Sequence, residues 1–274
     1  MLPSGAVVRS RLSRTLTRIL LLSVVAAGGL CVARAWAIRR GANEVVRGQK
    51  IAQQQGCFGC HGGATGAEAA NPGSRYGTIP RLNGGDSRLY AQSPREVAEW
   101  ISDGAPGSLR TDAEAWRAYG LQQIRMPAFS QRLSAREISD LTAYVLAANA
   151  WFAPEVEPAA RGEEVVRRHC LGCHNVGGAG GLENPGGLLP IIPGFWGADF
   201  EDLVRSDAEL REWILDGKSR RLASRWPVRW FWSRQLISMP AFRDRLADED
   251  VDSVIAYIRW LGRTRGGTAE EGPA

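Results

Sequence analysis

Side chains that bind metals are scarce in this sequence. Only three His (His61, His169, His174), three Met (Met1, Met126, Met239) and five Cys occur in 274 residues. Four of the Cys form two C-x-x-C pairs, which leaves Cys31 with no partner for a disulfide. It reads as a small apolar residue. Leu30 stands directly before it, where a lipoprotein site would want a small residue. Excess charge is missing too. The formal +5 rests on seven Arg in residues 1–40, which hold no acid, so everything downstream sums to −2. That balance gives nucleic acid no support as a partner. Long apolar runs are also absent. The best candidate, Ile19 to Ala33, is broken by Ser23, and as helix it would give about 22 Å against a bilayer core of about 30 Å. Arg39-Arg40 follow this run instead of preceding it, which argues against a twin-arginine signal.

What the chain does have occurs twice. Cys57-Phe58-Gly59-Cys60-His61 and Cys170-Leu171-Gly172-Cys173-His174 are C-x-x-C-H runs, the attachment signature of c-type haem. Two thiols bond the porphyrin edge, and the His that follows reaches the iron. Met126 and Met239 open identical tetrapeptides, Met-Pro-Ala-Phe, and each lies 65 residues after its His. A thioether opposite an imidazole is the ligation of electron-carrying haems. His61/Met126 and His174/Met239 are therefore the expected iron ligands of two covalent haem c groups. His169 adjoins Cys170, too close in sequence to reach the far face of its own haem, and reads as a solvated neighbour.

An offset of 113 residues superposes the two halves without a gap from the first haem Cys onward. Pro80 falls on Pro193, Gly84 on Gly197, Trp100 on Trp213 and Tyr144 on Tyr257, while Asn71-Pro72-Gly73 falls on Asn184-Pro185-Gly186. Upstream, Arg47-Gly48 and Arg161-Gly162 slip to an offset of 114. Duplication of one domain explains the pattern. Each copy reads as a small all-α bundle. A first helix starts near Val45 or Gly162 and runs into the haem peptide. Gly-rich loops follow (residues 62–77 and 177–187), read as flexible surface loops. Ser93 and Ser206 cap middle helices, with Glu96 closing a capping box at the first. Those helices stop at Gly104 and Gly217. Last helices start near Ser134 and Asp248, with apolar Ile138, Leu141 and Val145, and Val251, Val254 and Ile258, at helical spacing. The expected division is 1–40 as export signal or anchor, 41–152 and 153–265 as the two domains, and 266–274 as a disordered tail.

On these motifs residues 44–263 resemble class I cytochromes c in tandem, dihaem form, most like the membrane-anchored dihaem subunits of respiratory oxidoreductases. The resemblance implies an all-helical fold with each haem slotted between helices. It also implies that Pro80 and Pro193 lend carbonyls to His61 and His174, fixing the imidazoles. It implies an electron relay between a donor and an acceptor redox protein, not an enzyme. The basic residues Arg9 to Arg18 before the apolar run read as an export signal. The resemblance favours retention of residues 19–38 as an anchor on the periplasmic side of a bacterial cytoplasmic membrane. The alternative is cleavage at Ala33-Arg34-Ala35 or Ala35-Trp36-Ala37, leaving a soluble periplasmic protein.

Rival functions are a haem enzyme or a gas or redox sensor in which one Met is displaced, and a zinc module built from the C-x-x-C pairs. A dihaem peroxidase would need an open iron, and thiolate ligation would need a Cys that the chain does not have to spare. The stretch from Lys218 to Arg234 has six basic residues and no acid, with Trp226, Trp230 and Trp232 among them. Two readings stand for it: packing over the haem edge, or docking of an acidic partner or an anionic membrane surface.

Overall fold

All regular elements among the described residues are helices, apart from two isolated β-bridges. The computed structural model describes residues 17–25, 28–29, 43–62, 69–83 and 85–265. The fold is all-α, with two domain-like sets of helices consistent with tandem cytochrome c domains.

In the first set, α1 (Glu44–Gln54) begins at Asn43, whose side-chain oxygen accepts from the Val46 N–H at 3.1 Å. It leads into the single turn Phe58–His61. Helix α2 (Pro94–Asp103) starts at Ser93, which accepts from the Glu96 N–H. The Glu96 carboxylate takes the N–H of Gln92 at 2.7 Å, one residue before the expected cap. The helix ends where Gly104 turns left-handed (φ +77°), a conformation that costs Gly little. Helix α3 (Ala113–Gly120) follows, and α4 (Ala135–Ala148) opens with a complete capping box between Ser134 and Glu137. The second set repeats the order: α5 (Ala159–His169), the turn Leu171–His174, α6 (Asp207–Asp216), α7 (Trp226–Trp232) and α8 (Asp248–Arg265).

First and last helices of each set pack together, α1 on α4 and α5 on α8. A Gly at each crossing allows the approach. A Cβ at Gly48 would run into the Asp140 carbonyl and the Tyr144 Cβ, and one at Gly162 into the Ser253 carbonyl and the Tyr257 Cβ. Beside these crossings Arg47 pairs with Asp140 and Arg161 with Asp250. Val251, Val254, Ile258 and Leu261 on α8 are almost wholly buried, and each such side chain contributes roughly 1.5–3 kcal/mol relative to exposure.

Two expectations need correction. Among the described residues no helix is long and apolar enough to cross a membrane. Helix in the N-terminal unit, Met1–Arg40, is described only at 17–25 and 28–29. Nine helical residues reach about 14 Å, half of a bilayer core. The anchor at 19–38, and with it the membrane as partner and location, is not supported. The rest of that segment, Cys31 and both cleavage triplets lie outside the described residues, as do Gly84, residues 63–68 and the tail 266–274. The second correction concerns the Gly-rich loops. Their described parts are tied down: Ala70 bridges Thr78 and Glu183 bridges Ile191, antiparallel and 113 residues apart.

Candidate functional site

Each copy encloses a cavity, of about 290 Å³ in the first and about 180 Å³ in the second. Cys57, Cys60, His61, Pro80 and Met126 line the first; Cys170, Cys173, His174, Pro193 and Met239 line the second. All ten residues singled out in the sequence thus reach one or the other cavity. The haem-peptide turns explain the Cys and His placement. Cys57 O accepts from the Cys60 and His61 N–H groups, and Cys170 O from those of Cys173 and His174. One tight turn carries the two thiols and the imidazole together.

The imidazoles are oriented from behind. His61 Nδ1 lies 2.7 Å from the Pro80 carbonyl and His174 Nδ1 lies 3.0 Å from that of Pro193. A carbonyl only accepts, so Nδ1 carries the proton and Nε2 keeps its lone pair for a ligand. Burial pushes both imidazoles below the ordinary His range, and the Pro carbonyls offset this only in part. Both rings are therefore neutral at pH 7, the form that ligates. Burial also raises the Cys57 thiol, and carries Cys170 to about 11 with help from the neighbouring Cys173.

The Met loops are positioned by two side chains to which the sequence reading gave no role. Asn71 and Asn184 are 4% and 8% exposed. Asn71 Nδ2 donates to Ile124 O at 2.9 Å and its Oδ1 accepts from Ile124 N–H at 2.9 Å. Asn184 makes the same pair with Ile237, at 3.0 and 2.9 Å. Each Asn thus mimics a strand partner and ties the loop after the haem peptide to the residues two before the Met. Gly104 and Gly217 close the other side, since a Cβ there would strike Met126 O or Met239 O. Phe129 N–H and Phe242 N–H then bond back to Ile101 O and Ile214 O, each at 3.1 Å. The one signal in the sequence was the recurrence of Asn-Pro-Gly at the 113-residue offset.

Trp100 and Trp213 line the cavities too, with Nε1–H donated to Tyr90 O and Leu203 O. His169 is exposed and stands at the rim of the second cavity. Trp232 packs edge-on against Trp213 at 5.7 Å and lines that cavity, as the packing reading requires. The cavities differ in charge: Arg81, Arg125 and Arg132 line the first, and among the described residues no Arg or Lys lines the second.

The donor set, two thiols, an imidazole and a thioether around a mostly apolar cavity, fits a flat, mostly apolar group bonded at one edge. It does not fit a zinc cradle: among the described residues no three His, Cys, Asp or Glu side chains converge on one point. Residues 45–149 match the family described as cytochrome c, and residues 157–258 match cytochrome c oxidase, cbb3-type, subunit III. The chain has the domain architecture of cytochromes c. It is also 29% identical over 136 residues to cytochrome c oxidase subunit 2 of Alkalihalophilus pseudofirmus, an alignment covering 47% of this chain and 34% of that one. The chain therefore spans about a third of that relative's length. Cytochrome c and cbb3-subunit domains are non-catalytic electron-transfer modules, and these matches are consistent with a carrier role.

Proposed function

We propose that the chain is a dihaem cytochrome c that passes single electrons between a donor and an acceptor protein, with its domains at 41–152 and 153–265. Cys57 and Cys60 would hold one haem c through thioether bonds, and Cys170 and Cys173 the other. His61 and Met126 would ligate the first iron, His174 and Met239 the second. The haem supplies the one-electron couple, and the protein's part is to fix the ligands and exclude water. One observation carries the reading: in both copies C-x-x-C-H, the Pro-held imidazole and the Met loop meet at one cavity. The match of residues 157–258 to a cbb3-type oxidase subunit, and of part of the chain to an oxidase subunit 2, supports placing it as a subunit of a respiratory oxidoreductase.

A second reading is a haem enzyme, or a gas or redox sensor, in which one Met is displaced. It makes the smaller demand, because it needs only the His side. That is the side with a direct hydrogen bond to the ligand ring, whereas Met126 and Met239 lie in irregular segments held through their neighbours.

The purified protein separates the two. A haem assay after denaturation should return two covalent haems per chain. The oxidised spectrum should be wholly low-spin, with the weak near-infrared band of Met–iron(III) ligation, and carbon monoxide should not bind. A high-spin fraction or carbon monoxide binding at one haem would install the second reading. A single haem, or none, would end the first.

A further inference from the structure

Lys218 to Arg234 divides into an inward and an outward face. Inward, Val228 is buried and Trp232 lines the second cavity. Outward, Trp226 is 67% exposed and Trp230 43%. Arg225, Arg229 and Arg234 stand exposed beside them. The surrounding sequence has no acid between Asp216 and Asp244. Three of its cations are already neutralised: Arg220 by Glu212, Arg221 by Glu209 and Arg243 by Asp216. Arg225, Arg229 and Arg234 face no carboxylate among the described residues. Arg229 donates to Ala223 O, and Arg234 lies 4.1 Å over the Trp230 ring. In the first copy the corresponding helix, α3, starts with Asp112 and Glu114 instead.

We propose that Arg225, Trp226, Arg229, Trp230 and Arg234 form the docking face for a redox protein bearing a carboxylate-lined surface, so that electrons cross to or from that partner at the second copy. The proposal rests on the electron-relay reading and adds to it the site and chemistry of the partner. Place and composition carry it. The helix that bears the patch lines the second cavity with its other face, and four residues of the following segment, Gln235, Ile237, Ser238 and Met239, line it as well. Arg and Trp are the side chains that dominate binding energy at protein interfaces, and unneutralised guanidinium groups steer an acidic partner toward the patch. A bilayer is the poorer occupant. A helix lying in a membrane surface needs a continuous apolar face. Here α7 is one short helix of 7 residues, and its outward positions Trp226, Arg229 and Trp230 mix aromatic with charged side chains.

The test uses the haem-loaded full chain, with ferricyanide as anionic oxidant and poly-L-glutamate as carboxylate competitor. At low salt, R225E/R229E/R234E should be oxidised roughly tenfold more slowly than wild type, and the gap should close near 0.5 M salt, where the Debye length falls to a few ångström. Hexaammineruthenium, a cation, should show the opposite change. Poly-L-glutamate should slow wild type and not the variant. R75E/R117E/R136E alters net charge equally on exposed residues of the first copy and should leave the ferricyanide rate within about twofold. Unaltered spectra would show that both variants keep their fold and haems. Equal rates for wild type and the patch variant, or equal slowing by the control, would overturn the proposal. So would salt-sensitive sedimentation of wild type with phosphatidylcholine–phosphatidylglycerol vesicles that W226A/W230A abolishes. Wild type that lacks two reducible haems would fail before any variant is compared, and would end the relay reading itself.

Discussion

At the scale of single residues, the buried Asn pair is the feature with the sharpest consequences. Asn71 and Asn184 each satisfy both hydrogen-bonding groups of one residue in the Met loop. Replacing either by Ala leaves a peptide N–H and C=O without partners, at a cost of about 1–3 kcal/mol. On the dihaem reading N71A should also raise carbon monoxide binding at the first site alone, and N184A at the second alone, measured by titration of the reduced protein. A structural defect without a positioning role would lower the melting temperature and leave carbon monoxide binding unchanged. Glu209 gives a pH prediction. Burial pushes its carboxyl up, but the Ser219 hydroxyl, the Arg205 N–H and Arg221 outweigh this and hold it below the usual Glu value. A depressed folded pKa means stability that is present above the unfolded value near 4.5 and lost as pH falls through the lower folded value. Acid unfolding of the second copy should accordingly begin below about pH 4.5, and E209Q should flatten that limb in a pH series of melting curves.

At the scale of elements, the crossings of α1 on α4 and α5 on α8 set both slots, and they depend on Gly48 and Gly162. G48A and G162A would each press a methyl group into a backbone carbonyl and a Tyr Cβ. Overpacking of this kind costs about 1–3 kcal/mol, visible as a fall of several degrees in the melting temperature. Helix starts and stops were largely legible in the sequence, because capping chemistry is local: Ser93, Ser134 and Ser206, and the Gly at 104 and 217, all lie where the chain pattern puts them. Short helices after Gly104 and Gly217 were not legible, being set by contacts distant in sequence. Tyr119 on α3, for example, is held by its hydroxyl donating to Gly104 O at 2.8 Å. The Asn anchors were missed for the same reason, since their partners lie 53 residues away. The membrane anchor was over-read for the converse reason. A basic flank and an apolar run are local signals, and they do not specify the length of helix that a bilayer requires.

At the scale of the whole helical region, the two copies are joined through the loop that follows His174. Asn175 donates to Gln49 at 2.6 Å, and Asn43 donates to Ala179 O at 2.9 Å. Gly181, at φ +90°, abuts the Val46 side chain so closely that a Cβ would collide with it. Ala179, fully buried, belongs to the hydrophobic core of the first copy. G181V should therefore separate the copies, splitting one calorimetric unfolding transition into two and lowering the first. A single, unshifted transition would show that the contact does not couple them. The charge difference between cavities belongs at this scale too. Among the described residues three Arg line the first cavity and no Arg or Lys the second; on the dihaem reading R125Q should lower the first haem's potential by a few tens of millivolts, because it removes a cation that favours the less positive reduced iron. Spectroelectrochemical titration would check it, with the second potential as internal reference.

Those Asn anchors bear finally on how fast electrons can move. A transfer step waits on whatever must rearrange when the charge on the iron changes. His61 is braced by Pro80, and Met126 sits in a loop stitched through Asn71 to the bridged segment that carries Thr78 and Ile79 toward that same Pro. The second copy repeats the arrangement with Asn184 and Pro193. The two walls of each slot are thus one hydrogen-bonded body, and a change of redox state finds little slack to take up. On the dihaem reading, a small reorganisation energy follows from a pair of buried amides.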